Sequence, residues 1–297
     1  MTARTGGLLL SAAGIALMCC MDAVAKALGA ELTAFQVVFV RFAGAAIWLA
    51  LWISITRGVW PRPADLGRQV MRGALLVVTA SMFFYAVANL PLAVVAALAM
   101  TAPLYVTLIG AVVLKEKLDA RAWAALLLGG FGAAIITLGG GAISLSGIEG
   151  DQLAWAAALL APVSYATILA LLKHHSSREE PAAMTLGQST VAALLALPLA
   201  LMQAFPEITP MLAGQTVLVG FLGAAGFVLL IKGLQLVPVS LFAVVDYTSL
   251  LWAAALGFLF FAEQPALGFW AGAVLIVGAC VINSRRRQAR LAVSPTQ

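Results

Sequence analysis

The chain has 297 residues, of which 63% are hydrophobic and only 10% are charged. Soluble globular domains are about a quarter charged, so this composition excludes a soluble domain, a disordered chain, a coiled coil and a secreted disulfide scaffold. The formal net charge of +5 is therefore interpreted relative to a membrane and not as the mark of a nucleic-acid partner.

Ten apolar runs follow one another along the chain, each long enough to cross a bilayer as a helix of about 20 residues. They lie at about 8–28, 33–54, 71–88, 91–113, 121–140, 152–172, 183–203, 214–236, 239–261 and 266–283. The runs lack the alternation of barrel strands, and only helices or closed barrels satisfy their own backbone in lipid. The sequence therefore predicts an all-α integral membrane protein with ten transmembrane helices.

The first run is interpreted as a span and not as a cleaved signal peptide, because Asp22 and Lys26 interrupt the region of a cleavage site. The cysteines Cys19, Cys20 and Cys280 all lie in apolar runs, which is typical of packing residues. The sequence thus predicts neither a disulfide framework nor a metal site, and no cofactor.

The basic residues predict the orientation in the membrane. With ten spans, both termini lie on one side, and placing them in the cytoplasm puts fourteen of the 17 Lys and Arg residues in inner loops or tails and none in outer loops. The positive-inside rule therefore predicts cytoplasmic N- and C-termini. The arginine-rich tail at 286–297 is interpreted as an anchor on anionic lipid.

An internal repeat appears when the sequence is shifted against itself by 147 residues. The matched pairs are Gly73 and Gly220, Pro91 and Pro238, Thr101 and Thr248, Gly110 and Gly257, Glu116 and Glu263, and Trp123 and Trp270. We expect a first five-helix repeat at 1–143, a Gly-rich extracytoplasmic connector at 144–150 and a second five-helix repeat at 151–285. Because five is odd, the second repeat enters the membrane inverted, as in many secondary transporters.

The segments that close each half resemble those of the EamA-type transporters in the drug/metabolite transporter superfamily. The resemblance rests on Pro91 to Glu116 with Trp123 and the glycines at 129–132, and on Pro238 to Glu263 with Trp270. It implies that helices one to four and six to nine surround a central cavity while helices five and ten pack peripherally. It also implies transport without ATP hydrolysis. The sequence agrees, since it has no GxxxxGK[ST] phosphate loop. Within the superfamily, the sequence looks most like bacterial exporters of amino acids and related metabolites.

Ionisable residues inside spans are functional candidates by default. Asp22, Lys26, Arg41 and Asp246 are candidates for gating or coupling. Asp22 and Arg41 lie at similar depths on consecutive helices and can pair, Lys26 is an alternative partner one turn from Asp22, and Lys232 can pair with Asp246. The pairs are either structural or gates that break when the cavity opens, and either aspartate can carry a coupling proton; both alternatives stay open.

Polar and aromatic groups near the span centres predict a substrate cavity. The candidates are Tyr85, Asn89, Met100, Thr101, Tyr105, Ser164, Tyr165, Lys232, Asp246, Tyr247, Thr248 and Trp252. The alternatives are lipid-facing packing for the aromatic residues and hydrogen bonds to their own helix for the two threonines. Glu116 and Glu263 are expected to cap or anchor the turns into helices five and ten instead of binding substrate.

Together these features predict a secondary transporter, not an enzyme, that exports amino acids by alternating access. A carrier for nucleosides, sugars or drugs remains an alternative, and a channel is disfavoured because no pore-lining ring is visible. The two histidines, His174 and His175, lie in an inner loop, which disfavours an intramembrane hydrolase. The expected partners are a small-molecule substrate and the bilayer but no nucleic acid, and a monomer suffices because one chain holds both repeats.

Overall fold

A computed structural model of the chain describes residues 3–102, 104–105, 120–139, 151–175, 179–237, 245–246 and 248–293. Regular structure within these ranges is helical. The helices are α1 (Ala3–Leu28), α2 (Ala34–Thr56), α3 (Leu66–Asn89), α4 (Leu92–Ala99), α5 (Ala120–Gly139), α6 (Gln152–His175), α7 (Pro181–Ala200), α8 (Pro210–Leu236), α9 (Thr248–Phe261) and α10 (Leu267–Val293). A short 3-10 helix, Pro63–Asp65, precedes α3.

Within the part of the chain that the structure describes, five stretches of helix are long and apolar enough to cross a membrane. They are Thr5–Leu28, Ala34–Thr56, Pro63–Asn89, Pro181–Ala200 and Pro210–Leu236. Shorter apolar helices lie at Trp123–Ile136, Gln152–Ile168, Thr248–Phe261 and Leu267–Ala279. The protein is therefore a multi-pass helical membrane protein, whereas the count of ten spans and the side on which the termini lie remain predictions.

Side-chain caps fix where several helices begin. The Thr33 hydroxyl accepts the Gln36 backbone N–H and the Gln36 side chain accepts the Thr33 N–H, which forms a capping box at the start of α2. Thr209 caps α8, and the Glu180 carboxylate caps α7 by accepting the Ala183 N–H. The cap at Glu180 places the neighbouring Glu179 at the mouth of the helix bundle, where its carboxylate meets α3.

The two sets of five helices pack against each other in exchangeable pairs. Helix α1 packs on α8 as α6 packs on α3, α2 packs on α8 as α7 packs on α3, and α1 packs on α9 as α6 packs on α4. The remaining large packings, α2 with α7, α4 with α9 and α5 with α10, each join corresponding members of the two sets. This pattern is what two similar five-helix units produce when a pseudo-twofold relates them.

Glycines allow the closest helix approaches. A Cβ atom added to Gly220 on α8 would lie 2.6 Å from the Cα of Gly44 on α2. A Cβ atom added to Gly272 on α10 would lie 2.5 Å from the carbonyl oxygen of Gly132 on α5. In a bilayer no hydrophobic driving force brings helices together, because lipid tails are as apolar as the side chains. Small residues at such crossings let the helix backbones approach closely and associate by van der Waals contact.

Candidate functional site

A cavity of about 170 Å³ lies at the centre of the helix bundle. Its wall comes from α1, α2, α3, α4, α6, α8 and α9 with the residues just before α9, and among the described residues α5 and α10 contribute nothing to it. Helix α1 presents Ile15, Met18, Cys19 and Asp22 to the cavity. This spacing places all four side chains on one helical face.

Arg41 is the basic residue of the cavity wall. Its side chain is buried, and its Nε donates a hydrogen bond to the Met21 sulfur at 3.3 Å. The guanidinium lies 4.3 Å from the centre of the Phe42 ring and 5.8 Å from that of Phe84. Cation–π contacts of this kind hold a guanidinium in an apolar wall while its remaining N–H groups stay available to the cavity.

Asp22 and Asp246 are the acidic residues of the wall. Asp22 is within electrostatic reach of Arg41, but neither aspartate forms an ion pair within 4.0 Å with any residue that the structure describes. A charge in apolar surroundings is costly unless something pairs with it. The cavity therefore offers two carboxylates and a guanidinium to whatever enters it.

Neutral polar groups complete the wall. The hydroxyls of Thr79 on α3 and Ser164 on α6 lie 2.5 Å apart. Tyr165 follows on the next position of α6 and lines the cavity. The Cys19 thiol donates to the Ser249 carbonyl oxygen at 3.8 Å, which ties α1 to α9. These contacts join both five-helix units around the same space.

An ion pair lies beyond one end of the cavity. The Lys26 ammonium lies 2.9 Å from Glu263 and also donates to the carbonyl oxygens of Val87 and Leu90, at 2.8 and 2.6 Å. The second Glu263 oxygen accepts the backbone N–H of Leu92 at 2.8 Å. One carboxylate thus joins the ends of α1, α3, α4 and α9. We call this set of contacts the Lys26–Glu263 junction.

A glycine makes room for the Glu263 side chain. The Glu263 N–H donates to the Gly257 carbonyl oxygen at 3.1 Å, so the chain folds back on the end of α9. A Cβ atom on Gly257 would lie 2.6 Å from the Glu263 Oε2. Ala262 between them has a positive φ of 53°. The carboxylate reaches Lys26 only because position 257 has no side chain.

A second ion pair lies toward the opposite end of α3. The Arg72 guanidinium donates two hydrogen bonds of 2.9 Å to the two oxygens of Glu179, and both side chains are nearly inaccessible to solvent, at 0% and 5%. Arg68 lies 3.8 Å from Glu179 and also pairs with Asp65. We call this the Arg72–Glu179 junction.

The two junctions lie on the same stripe of α3. Arg72 precedes the cavity residue Leu76 by one turn, and Val87, whose carbonyl oxygen accepts from Lys26, follows Phe83 by one turn. At about 1.5 Å per residue, Arg72 and Val87 are roughly 22 Å apart along the helix. The cavity residues of α3 lie between the two junctions.

A much smaller cavity of about 10 Å³ adjoins the central one. Arg41 lines both cavities, and Thr185, Gln188 and Ser189 of α7 line the small one. The Gln188 Oε1 is buried and has no hydrogen-bond partner. A space of this size is about the smallest that holds one water molecule, and it contains the polar groups that such a water needs.

The structure brings part of the predicted site together. Met100, Tyr165 and Asp246 line the central cavity along with Asp22 and Arg41. Lys26 lies beyond the cavity at the Lys26–Glu263 junction and pairs with Glu263 instead of Asp22. Tyr247 lies outside the described residues, as does Glu116.

Two predicted cavity residues lie near the end of α3, outside the wall. Tyr85 donates a hydrogen bond of 2.8 Å to Asp151, whose other oxygen accepts the Leu153 and Ala154 N–H groups at the start of α6. The Tyr85 hydroxyl, together with these backbone donors, lowers the pKa of Asp151. Asn89 is exposed and donates to the Tyr85 carbonyl oxygen. Both residues therefore stabilise helix ends.

Hydrogen bonds within or between helices occupy three more hydroxyl groups. Thr101 donates to the Leu98 carbonyl oxygen at 2.6 Å and Thr248 donates to that of Val245 at 2.7 Å. These are the bonds to their own helix that formed the alternative interpretation. Tyr105 donates to the Leu159 carbonyl oxygen at 3.3 Å. Ser164 reaches the cavity only through Thr79.

Lys232 and Trp252 lie on outward faces of their helices. Lys232 is exposed, and Trp252 is 44% exposed. Lys232 follows the cavity residue Leu230 by two positions, which is a rotation of about 200° around α8. The structure therefore does not bring Lys232 to Asp246.

Sequence reasoning missed the partners in both junctions. Lys26 was predicted near the outer end of the first span and Glu263 in an outer loop, so their similar depth was a signal that was available. Arg72 was counted among the inner basic residues, and nothing in the sequence shows that α3 packs beside the start of α7. Thr79 was also missed, because a threonine in an apolar helix carries no distinctive pattern.

Comparison with known proteins settles the family. The model of the EamA-like transporter family matches residues 5–138 and again residues 152–285. The chain belongs to the EamA-like transporter family. Two matches in one chain agree with the exchangeable packing of the two helix sets. The resemblance drawn from the sequence is confirmed.

Two curated relatives of this EamA-like transporter are both described as the pseudopaline exporter CntI. They come from Pseudomonas aeruginosa strains UCBPP-PA14 and PAO1, and each is 30% identical over 276 residues, covering 90% of this chain and 92% of the relative. A solved crystal structure matches with a TM-score of 0.64 at 18% identity, covering 96% of this chain and 99% of that one; this likeness concerns the fold alone. The protein is therefore a membrane transporter with a small-molecule substrate.

Proposed function

We propose that this EamA-like transporter exports amino acids across the bacterial inner membrane by alternating access. The observation that carries the proposal is the central cavity, whose apolar wall presents the Arg41 guanidinium and the Asp22 and Asp246 carboxylates without ion-pair partners among the described residues. An amino acid supplies the matching groups, namely a carboxylate for the guanidinium and an ammonium for a carboxylate.

The apolar remainder of the wall suits the cargo's side chain. Leu76, Phe83, Val95, Met100 and Phe227 surround the charged groups. Methionine and small aliphatic side chains adapt to different shapes. A wall of this kind favours a carrier that recognises the common backbone of amino acids and accepts several side chains.

The two junctions act as alternating gates in this proposal. We place the Arg72–Glu179 junction at the cytoplasmic face and the Lys26–Glu263 junction at the periplasmic face, since the basic loops are predicted to lie inside. Both ion pairs are formed in the structure, and the proposal requires each of them to break in turn. Opening one junction at a time exposes the cavity to one side at a time.

The repeat supplies the two conformations. We propose that 1–143 and 151–285 are inverted five-helix repeats joined by the connector at 144–150. The exchangeable helix packings support this division. Two inverted units that swap conformations convert a cavity open to one face into the same cavity open to the other.

The proposed direction of transport is export, because both relatives are described as exporters. Both are exporters of pseudopaline, so pseudopaline or a metabolite like it is a second candidate cargo.

Flux into and out of proteoliposomes tests the proposal. The purified protein is reconstituted, radiolabelled amino acids are supplied one at a time, and uptake is followed with and without internal unlabelled substrate and with and without a pH gradient. We expect saturable counter-flow for a subset of amino acids. Linear flux that does not saturate would indicate a channel, and flux of pseudopaline without flux of any amino acid would select the second candidate.

A matched pair of variants connects the flux to the cavity. Arg41→Gln removes the guanidinium from the cavity wall, and Arg62→Gln removes an exposed one outside both the cavity and the junctions. We expect the first variant to raise the KM of amino-acid flux at least tenfold and the second to leave it within twofold. Equal effects of the two variants on the KM would show that the cavity is not the site of amino-acid binding during transport.

A further inference from the structure

The charges of the cavity wall do not balance. Two carboxylates, Asp22 and Asp246, face one guanidinium, Arg41, and no other charged residue belongs to the wall as the described residues define it. The neighbouring stretch 238–244 and position 247 contain no Lys, Arg, Asp or Glu in the sequence. The empty wall thus carries one more acidic group than basic groups.

We propose that the preferred cargo is an amino acid with a second cationic group in its side chain, so that it brings one carboxylate and two cationic nitrogens to the cavity. This inference rests on the proposed function, because it selects a class among the amino acids. A cargo of net charge +1 leaves every charge of the wall compensated. A zwitterion of net charge zero leaves one carboxylate in an apolar cavity without a partner, which is costly.

The three charges of the wall comprise one interacting pair and one separate group. Asp22 and Arg41 interact electrostatically with each other, as the adjacent ammonium and carboxylate of an amino-acid backbone require. Asp246 shows no such interaction with Arg41. The first two groups therefore suit the backbone of the cargo, and the third suits a cation at the far end of its side chain.

The wall near the two carboxylates is suited to an aliphatic chain. Cys19 and Tyr165 line the cavity, and each lies within electrostatic reach of both Asp22 and Asp246. The Cys19 thiol and the edge of a tyrosine ring offer a mainly apolar surface. The methylene groups that separate the two cationic nitrogens of the cargo pack along this surface.

The other cations near the cavity do not change the balance. Lys26 is held by Glu263 and two carbonyl oxygens, and Arg72 is held by both oxygens of Glu179. Lys232 is exposed on the opposite face of α8. None of them lines the central cavity.

Competition and thermal shift test the charge class. Efflux of radiolabelled lysine is measured from proteoliposomes, with lysine, ornithine, leucine, glutamate and the diamine cadaverine as competitors, and the melting temperature of the detergent-solubilised protein is measured with each compound. We expect lysine and ornithine to compete at least tenfold more strongly than leucine and to give the largest stabilisation. Cadaverine is expected to bind more weakly than lysine because it lacks a carboxylate for Arg41.

Neutralising one carboxylate should change the preference. Asp246→Asn balances the wall for a neutral zwitterion, so the ratio of lysine affinity to leucine affinity should fall at least tenfold. Asp22→Asn provides a second neutralisation if the first variant does not fold. Glu207→Gln, a change at an exposed residue outside the cavity, should leave the ratio unchanged.

The outcomes separate this inference from the proposed function. Leucine that binds as tightly as lysine, or an unchanged ratio in a folded Asp246→Asn variant, overturns the charge class and leaves amino-acid transport standing. Absence of flux and of stabilisation with every amino acid overturns both.

Discussion

The Lys26 ammonium lies 2.9 Å from the Glu263 carboxylate, and the same ammonium also holds the Val87 and Leu90 carbonyl oxygens. Lys26 continues the face of α1 that presents Asp22 to the cavity, one turn further along. A single helical face therefore carries Asp22, which lines the cavity, and Lys26, which forms the junction. In the proposed mechanism, this shared face connects occupancy of the cavity to the state of the junction.

Breaking the Lys26–Glu263 junction should open the cavity at that end. Glu263→Gln removes a charge-assisted hydrogen bond that contributes about 1.5–3 kcal/mol, which corresponds to roughly a tenfold or larger change in the open population. Cys19 lines the cavity and is buried, so its reaction with a membrane-impermeant maleimide reports on opening. In a background with Cys20→Ser and Cys280→Ser, we expect labelling at least five times faster than in the parent.

A second substitution, at Gly257, should also disrupt the Lys26–Glu263 junction, by steric displacement of the carboxylate. Gly257→Ala places a methyl group 2.6 Å from the Glu263 Oε2 and displaces the carboxylate from Lys26. We expect faster Cys19 labelling, as in Glu263→Gln. Gly130→Ala is the matched control, because a Cβ atom at Gly130 meets nothing within 4 Å. Equal labelling of the two alanine variants would contradict a gating role for the junction.

Removing one partner from the Arg72–Glu179 junction should be strongly destabilising. Both side chains are nearly inaccessible, and breaking a buried pair typically costs about 3–5 kcal/mol because it leaves an uncompensated charge. Arg72→Met is therefore expected to lower the melting temperature substantially, and Arg72→Lys is expected to recover only part of the loss since it cannot form both hydrogen bonds.

Arg68 provides the control for this measurement. Its side chain is 34% exposed, and ion pairs of that kind contribute about 0–1 kcal/mol. Arg68→Met should therefore change the melting temperature little. A loss as large as that of Arg72→Met would mean that the effect comes from net charge at this face and not from the buried pair.

The crossing of α2 and α8 should not tolerate added volume. Gly220→Ala places a methyl group 2.6 Å from the Gly44 Cα, which is backbone and cannot move aside cheaply. Overpacking of this kind costs about 1–3 kcal/mol. We expect a lower melting temperature and slower transport. Gly214→Ala lies on the same helix with nothing within 4 Å of the new atom, and it should be neutral or slightly stabilising because alanine favours helix.

Substitution of the buried Gln188 tests whether the small cavity holds a water molecule. We expect Gln188→Met to lower the melting temperature, because it removes a hydrogen-bond partner of that water. The polar residues Arg41, Thr185 and Ser189 line the same space. Ser81→Ala is the comparison, because the Ser81 hydroxyl is also buried without a partner but lines neither cavity. That change should be neutral or stabilising. A higher melting temperature for Gln188→Met would show that the small cavity is dry.

Much of the site could be predicted from the sequence because charge and hydropathy are local properties. Asp22, Arg41 and Asp246 stand out as ionisable residues within apolar runs, and the structure places all three on the central cavity. Tyr85, Lys232 and Trp252 also stand out as polar or aromatic residues within apolar runs, yet they lie outside the wall. Lys232 shows why, because a shift of two positions from the cavity residue Leu230 turns its side chain to the other face of the helix.

The sequence by itself determined that the protein lies in a membrane and that it carries two similar halves, since composition and an internal repeat suffice for these. Only the tertiary structure decided which charges meet. Lys26 faces Glu263 instead of Asp22, and Arg72 faces Glu179, because ion pairs form between helices from different halves that pack side by side. That packing depends on where small residues such as Gly44 and Gly220 allow helices to approach, which is a property of surfaces distant in the chain and not of any local pattern.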